Sequence, residues 1–197
     1  MRVRIAEGGP GSARLSRVKR ARLVLMTAAV SVVAAAASAR AAEAGATSPQ
    51  CSAPEYRRLD FWAGDWDAYE EGDRTGKPNA RCRVDVILGG CVLRENYEQN
   101  DGLVGQSFTI YDAARKLWHQ SWVTDRGLLL MIDGVFEGDT LTLQGPLRSP
   151  GGEAPERLIR GQWRKEPGGV RETAETSDDG GKSWRPYFDI HFRPHKP

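Results

Sequence analysis

The chain of 197 residues carries 28 Lys and Arg against 26 Asp and Glu, a formal net charge of +2. Seven of the basic residues and one acid lie within the first 39 positions, which leaves 21 basic and 25 acidic residues, a net charge of −4, for the remainder. With no basic run beyond that point, the composition speaks against binding to nucleic acid or to an anionic membrane surface, and the length fits one domain.

The first element is a leader. A basic stretch ends at Arg22, an apolar run covers Leu23 to Ala37, and Ala37-Ser38-Ala39 puts small residues at the −3 and −1 positions. That order is the pattern of a secretory signal, and the apolar run is short of the ~20 residues of a helical membrane span. Cleavage is expected after Ala39, with Ala41 and Ala44 as alternatives. Ser48-Pro49-Gln50 lacks the small and apolar pattern that precedes a lipidated cysteine, so no membrane anchor is expected after cleavage. The expected organisation is a signal peptide over 1–39, a flexible mature N-terminus over 40–50 and one folded domain over 51–197.

Ser52-Ala53-Pro54-Glu55 reads as a capping box with proline near the first turn, which predicts a short helix through about Leu59 that covers one end of the fold. Helical periodicity is absent after Trp66. Ten β-rich runs follow: Asp65–Glu70, Ala80–Leu88, Cys91–Gln99, Gly105–Asp112, Leu117–Asp125, Leu128–Glu137, Thr140–Gln144, Arg157–Lys165, Val170–Ser177 and Trp184–Arg193. Turn signals at Gly89-Gly90, Gly138-Asp139 and Pro167-Gly168-Gly169 separate several of them. Many short strands with tight hairpins make a meander, and a meander of this size removes its edges by closing. The predicted fold is all-β, a single antiparallel barrel of roughly eight to ten strands with a short N-terminal helix.

A two-residue turn at Gly89-Gly90 sets Leu88 opposite Cys91 and Cys82 opposite Tyr97. In that register Cys82 and Cys91 stand about 20 Å apart at ~3.3 Å per residue, beyond disulfide reach. The expected disulfide is Cys51–Cys91, with Cys82 a buried thiol. The same register puts Cys82, Val84, Val86 and Leu88 on one face with Cys91, Leu93, Glu95 and Tyr97, while Arg81, Arg83, Asp85 and Arg94 point outward. Leu130, Ile132 and Phe136 share a face with Leu141 and Leu143. In Leu117–Asp125 neither face is clean: Trp118, Gln120 and Trp122 share one, Leu117, His119, Ser121 and Val123 the other, and the Trp-Gln-Trp face is the one assigned to the interior.

Several motifs carry a resemblance. They are Leu59-Asp60-Phe61-Trp62-Ala63-Gly64-Asp65-Trp66, Gly90-Cys91-Val92-Leu93-Arg94-Glu95, Trp118-His119-Gln120-Ser121-Trp122 after Tyr111-Asp112, and Ser177 to Trp184. Together they resemble an exported bacterial family described only as a domain of unknown function, over about Cys51 to Arg193. More distantly, the Gly64-Asp65-Trp66 start and the late Arg193 resemble the calycin barrels, which include lipocalins, fatty-acid-binding proteins and haem-binding nitrobindins. The resemblance implies a barrel, an apolar interior ligand, and a periplasmic or secreted location; it implies no reaction.

Gly64, Trp66 and Arg193 read as a closure device, with the indole plugging one barrel end and Arg193 stacked on it as a cation–π contact. Ser177-x-Asp179-x-Gly181-x-x-Trp184 matches the Asp-box of sialidase propellers, but a single copy in a short chain marks a hairpin device rather than a glycosidase. Glu95 is the foremost functional candidate, because a carboxylate on an apolar face must be hydrogen-bonded, paired or protonated; an inward Arg160 or Arg171 is the structural alternative as its partner. The expected ligand-binding set is Glu95, Tyr97, Trp118, Gln120 and Trp122, against apolar walls such as Val84, Val86, Leu93, Leu130 and Ile132. The ligand class is a small hydrophobic or amphipathic molecule.

His119, His191 and His195 show no ligand spacing beyond the weak His191/His195 pair, so no metal is expected. No cofactor is expected either: a late histidine holds haem in nitrobindins, but the surrounding motif is not evident around His191, and exposure is its expected state. An enzymatic alternative, an isomerase or hydrolase, pairs Glu95 with His119 as acid–base partners and requires both inside. A third reading is a packed barrel that binds a protein partner or the envelope through its loops.

Overall fold

The computed structural model describes residues 51–72, 76–149 and 156–196. The leader, the segment 40–50 and most of the Ser149–Pro155 loop lie outside the described residues. A single turn of helix, α1 (Pro54–Arg57), leads through a 3-10 turn (Asp60–Trp62) into ten strands. They are β1 (Gly64–Glu70), β2 (Ala80–Ile87), β3 (Val92–Gln99), β4 (Val104–Asp112), β5 (Leu117–Thr124), β6 (Leu129–Glu137), β7 (Thr140–Leu147), β8 (Arg157–Glu166), β9 (Gly169–Ser177) and β10 (Arg185–Pro194).

Each strand pairs antiparallel with the next, and β1 pairs with β10, so the sheet closes on itself. Closure leaves no strand edge within the sheet. This up-and-down barrel, one short helix ahead of it, is consistent with the calycin-like architecture. The ten β-rich runs of the sequence correspond one to one with the strands. The largest difference is β7, which continues through Pro146 to Leu147.

Alternation commits every second side chain to the interior. Trp66 and Ala68 of β1, Cys82 and Val84 of β2, Leu141 and Leu143 of β7, and Phe192 of β10 are all buried. Opposite phases carry the charges. Arg81 pairs with Asp65 and Asp67, Asp85 with Arg83 and Arg94, and Arg115 with Asp112 and Asp133.

The N-terminal segment lies against one end of the barrel, the end that holds the β2–β3, β4–β5, β6–β7 and β8–β9 connections. Leu59 and Trp62 are each 1 % exposed. Trp62 meets Phe192 edge-on at 4.4 Å and stacks on Trp66 at 6.1 Å, and the Trp66 indole N–H donates to the Trp62 carbonyl at 3.0 Å. Three further ties hold the segment down. Arg57 donates to the Gly90 carbonyl, Arg58 donates to the Gly138 carbonyl at 2.6 Å, and Cys51 is joined to Cys91 with their Cα atoms 5.0 Å apart. Tyr56 packs edge-on against Tyr111 at 5.3 Å. Cys82 is a buried free thiol.

Several expectations are corrected here. The closure device does not include Arg193. Its register partner is Asp67, on the outer face, and its guanidinium lies 5.0 Å from the Tyr69 ring centroid; the partner of Trp66 is Trp62. Gly64 has no positive φ. It is small because a Cβ there would stand 2.6 Å from the Trp66 ring, which folds back along the strand. The capping box is not formed: Ala53 is the N-cap and makes no side-chain bond, and the helix ends at Arg57.

Cys82 does face Tyr97, but four residues, Leu88 to Cys91, join the two strands, with Leu88 and Gly89 both at positive φ. Val86 and Leu88 are exposed rather than internal. The β1 ladder reaches only to Val84, so Val86 lies past the neighbouring strand with nothing to cover it on that side. In β10 a bulge between Pro186 and Phe188 interrupts the two-residue alternation.

The Asp-box is the expected hairpin device. The Asp179 carboxylate accepts backbone N–H bonds from Lys182 and Ser183, both at 2.9 Å, and the Ser183 hydroxyl at 2.6 Å. These bonds draw its pKa down to about 2. The Trp184 indole donates to the Gly181 carbonyl at 3.1 Å.

Replacing both Cys51 and Cys91 with serine is expected to cost about 2–4 kcal/mol. Urea unfolding of the oxidised wild type and the double variant checks this, and reductant should destabilise only the wild type.

Candidate functional site

The two ends of the barrel differ. The end just described is plugged by Leu59, Trp62, Trp66 and Phe192. The other end, where β1, β3, β5, β7 and β9 finish, opens into a cavity of 360 Å³ inside the barrel. Its mouth is set by Glu70, Gln99, Leu103, Leu128 and Tyr187, and its apolar wall includes Leu130, Ile132, Leu147, Ile159, Phe188 and Ile190. A second set of polar groups, on Glu95, Gln120 and Glu172, lies deeper, beside Tyr97, Trp122 and Trp163.

Why does an interior so rich in tryptophan stay hollow? The indoles lie along the wall, over glycines. A Cβ at Gly105 would stand 2.2 Å from the Trp122 ring, and one at Gly161 would stand 2.8 Å from the Trp163 ring. Only a residue without a side chain lets a ring lie this close to the sheet, so each pairing takes aromatic volume out of the lumen. Tyr97 then meets Trp122 edge-on at 6.0 Å, which continues the aromatic wall across β3 to β5.

Glu95 is 8 % exposed on an otherwise apolar face, as its alternation requires. One carboxyl oxygen accepts the Ser107 hydroxyl at 2.8 Å, and the other accepts the Cys82 thiol at 3.5 Å. Gln120 donates to Thr109 at 3.1 Å and to Ser107 at 3.5 Å, so a chain of neutral donors runs across β4 and β5 to the carboxyl. Burial pushes the Glu95 carboxyl above its usual range, and the Ser107 and Cys82 bonds offset only part of that.

Glu172, on β9, is a second interior carboxyl that the sequence reading missed. It stands directly across from Trp163, whose indole donates to it. Burial and then the charge of Glu95 push Glu172 well above the ordinary glutamate range. The pair acts on its neighbours as well. Burial raises the Cys82 thiol, with Glu95 adding to it, and burial raises the Tyr97 phenol, with Glu172 and Glu95 adding to it. The available signal for Glu172 was alternation: Val170, Glu172, Ala174 and Thr176 share a phase, and three of the four are apolar or small.

Four of the five expected ligand residues therefore line one cavity: Glu95, Tyr97, Gln120 and Trp122. Trp118 is inside but does not line it. It packs between Tyr111 at 5.9 Å and Phe136 at 5.8 Å, towards the plugged end. Of the expected apolar walls, Leu130 and Ile132 line the cavity, while Val84 and Leu93 are buried in the core beside it.

His119 is outside the barrel, where its ring bonds Asp133 at 2.7 Å and Ser121 at 2.8 Å. The strand phase that buries Gln120 necessarily turns His119 away, so it cannot share a proton with Glu95. Arg160 and Arg171 are also external, paired with Glu175 and Asp189; neither neutralises Glu95. His191 is half-covered on the outer surface between Glu166 at 2.8 Å and Glu71 at 2.9 Å.

No protein-family model matches the chain, and no curated protein matches it. The cavity itself is the basis for a functional reading.

The raised carboxyls have a consequence for stability. Between the ordinary glutamate value of ~4.3 and the raised folded value, the native state holds more protons than the unfolded chain. Their neutral form is thus fully compatible with folding below that window, and stability falls as pH rises through it. Glu172→Gln should melt at a higher temperature than the wild type at about pH 8 and at the same temperature near pH 4. Thermal melts across that range check this, and a difference independent of pH would count against the assignment.

Proposed function

We propose that this protein is an exported barrel that binds a small lipophilic or amphipathic molecule. The observation that carries the reading is the cavity of 360 Å³, open at one end, apolar along its walls and polar at depth. Its volume falls in the range of small-molecule sites, which are concave, largely apolar, and carry a few convergent polar groups. Leu130, Ile132, Ile159 and Ile190 would supply affinity by leaving water with the ligand. Glu95, Gln120 and Glu172 would fix the orientation of its polar end.

Two further lines support the reading. The leader over residues 1–39 has the order of a secretory signal, and the Cys51–Cys91 disulfide suits an oxidising compartment such as the periplasm or the extracellular medium. The resemblance of the FWxGxW, GCxxxE and SxDGGxxW segments to an exported bacterial family agrees with that location. The acid–base reading loses its second partner with His119 on the outer face, and an open interior disfavours a purely packed interaction module.

The test is native mass spectrometry of the mature protein from a periplasmic preparation, with organic extraction of what co-purifies. The expected result is a defined additional mass released on denaturation. An apo mass, together with failure of any lipophilic fluorescent probe to saturate the protein, would overturn the reading. Gly105→Ala should drive the Trp122 ring into the lumen and weaken probe binding by about tenfold or more, with the change visible in tryptophan emission.

A further inference from the structure

Resting on the binding reading above, we infer that the ligand of this cavity carries a cationic amine, held at depth between Glu95 and Glu172 with its apolar part along the wall towards the mouth. Charge is distributed very unevenly between the two faces of the sheet. Every ion pair of Arg81, Arg94, Arg115, Arg160 and Arg171 is made on the outside. Among the described residues the cavity is lined by three carboxyls, Glu70, Glu95 and Glu172, and by no Lys, Arg or His. Two acids thus share the interior within electrostatic reach of one another, and no cation stands beside them among the described cavity-lining residues.

The donors they do have are neutral: Ser107 and Cys82 for Glu95, and the Trp163 indole for Glu172. A packed core gains nothing from such a pair, since burying carboxyls without a cation is costly. A bound ammonium reverses that sign, because each carboxylate then gains an opposite charge in a poorly screened site. The aromatic wall points to the same chemistry. Tyr97 and Trp122 meet edge-on at 6.0 Å, and Trp163 lines the same cavity; ring faces attract organic cations. An organic ammonium fits better than a metal ion, because among the described residues no three His, Cys, Asp or Glu side chains converge as a ligand set.

Burial, and for Glu172 the charge of Glu95, favour the protonated form of the pair, a bound ammonium favours the ionised form, and binding therefore releases a proton. The other titratable groups turned towards the pair are Cys82 from β2, Tyr97 from β3 and, nearer the mouth, Glu70 from β1 and Tyr187 from β10; the cavity-lining residues of β5 to β8 include none. Cys82 and Tyr97 are held neutral by burial and by the two acids, so the released proton comes from the glutamates.

Decylamine, decanol and decanoate share one chain and differ only in the head group, so calorimetric titration of all three into the full mature protein isolates the charge. The expected result is that decylamine binds at least about tenfold more tightly than either of the others. Repetition in buffers of different ionisation enthalpy should show a proton released with decylamine and none with decanol. Glu172→Gln and Glu95→Gln should each weaken decylamine by about tenfold or more and decanol much less, so that the amine preference is lost. The wild-type ranking stands as a test by itself if either variant misfolds. Equal or tighter binding of decanol or decanoate to the wild type would overturn the amine inference and leave the binding barrel intact. Saturation by none of the three would overturn both.

Discussion

The pairing of β1 with β10 is the constraint on which the rest of this protein depends. Once the first and last strands are hydrogen-bonded, every strand has two neighbours, and the phase of each is no longer free. A residue is either inside or outside, and a shift by one position exchanges all of them. From that single condition follow the burial of Trp66, Cys82, Leu143 and Phe192, the external ion pairs of the arginines, and the arrival of Glu95, Gln120 and Glu172 in one lumen from three separate parts of the chain.

Closure alone would not leave a cavity. A ten-strand barrel with Trp66, Trp118, Trp122 and Trp163 turned inward has ample aromatic volume to fill itself. Two arrangements prevent this. Near the N-terminal lid, aromatic residues are concentrated into a plug: Trp62 against Trp66 and Phe192, and Trp118 between Tyr111 and Phe136. Towards the mouth, Trp122 and Trp163 are laid flat over Gly105 and Gly161. The glycines forgo packing and strand propensity, and in return the wall is thin where a ligand would need room. The disulfide and the Arg57 and Arg58 bonds hold the lid against the plugged end, so the asymmetry between the two ends is built into the covalent and hydrogen-bonded framework.

The interior acids are the feature least compatible with stability alone. An apolar residue of similar volume at Glu172 would remove a desolvation cost. Keeping two carboxyls in an uncharged setting, bonded only by neutral donors, raises the proton affinity of both and of the thiol and phenol beside them. Shifts of this kind recur at functional sites, which is why the functional reading is placed in the cavity and not at the surface histidines.

Much of this was legible in the chain. Period-two alternation and the turn residues identified ten strands and the register that sets Cys82 against Tyr97, and the same register, with Cys51 upstream, led to the disulfide. Glu95 and Tyr97 were legible because their strand has a clear apolar phase, whereas Gln120 and Trp122 sit in a strand with neither face clean. Local pattern could not reach relations between strands distant in sequence. Arg193 looked like a partner for Trp66, yet the β1–β10 register, which no local signal encodes, puts it outside over Tyr69. Val86 had the inward phase, but only the length of β1 decided that nothing covers it. His119 and Gln120 are adjacent in sequence, and only the closed sheet determines which of them meets Glu95. Glu172 carried a local signal in the phase it shares with Val170, Ala174 and Thr176, but that it meets Glu95 depends on the closed sheet. By itself the sequence determined the strands, their local faces and the covalent staple, because these depend on neighbours along the chain. The tertiary structure alone decided which end is open, that the lumen is hollow and that two acids share it, because these depend on where distant strands come to lie around one barrel.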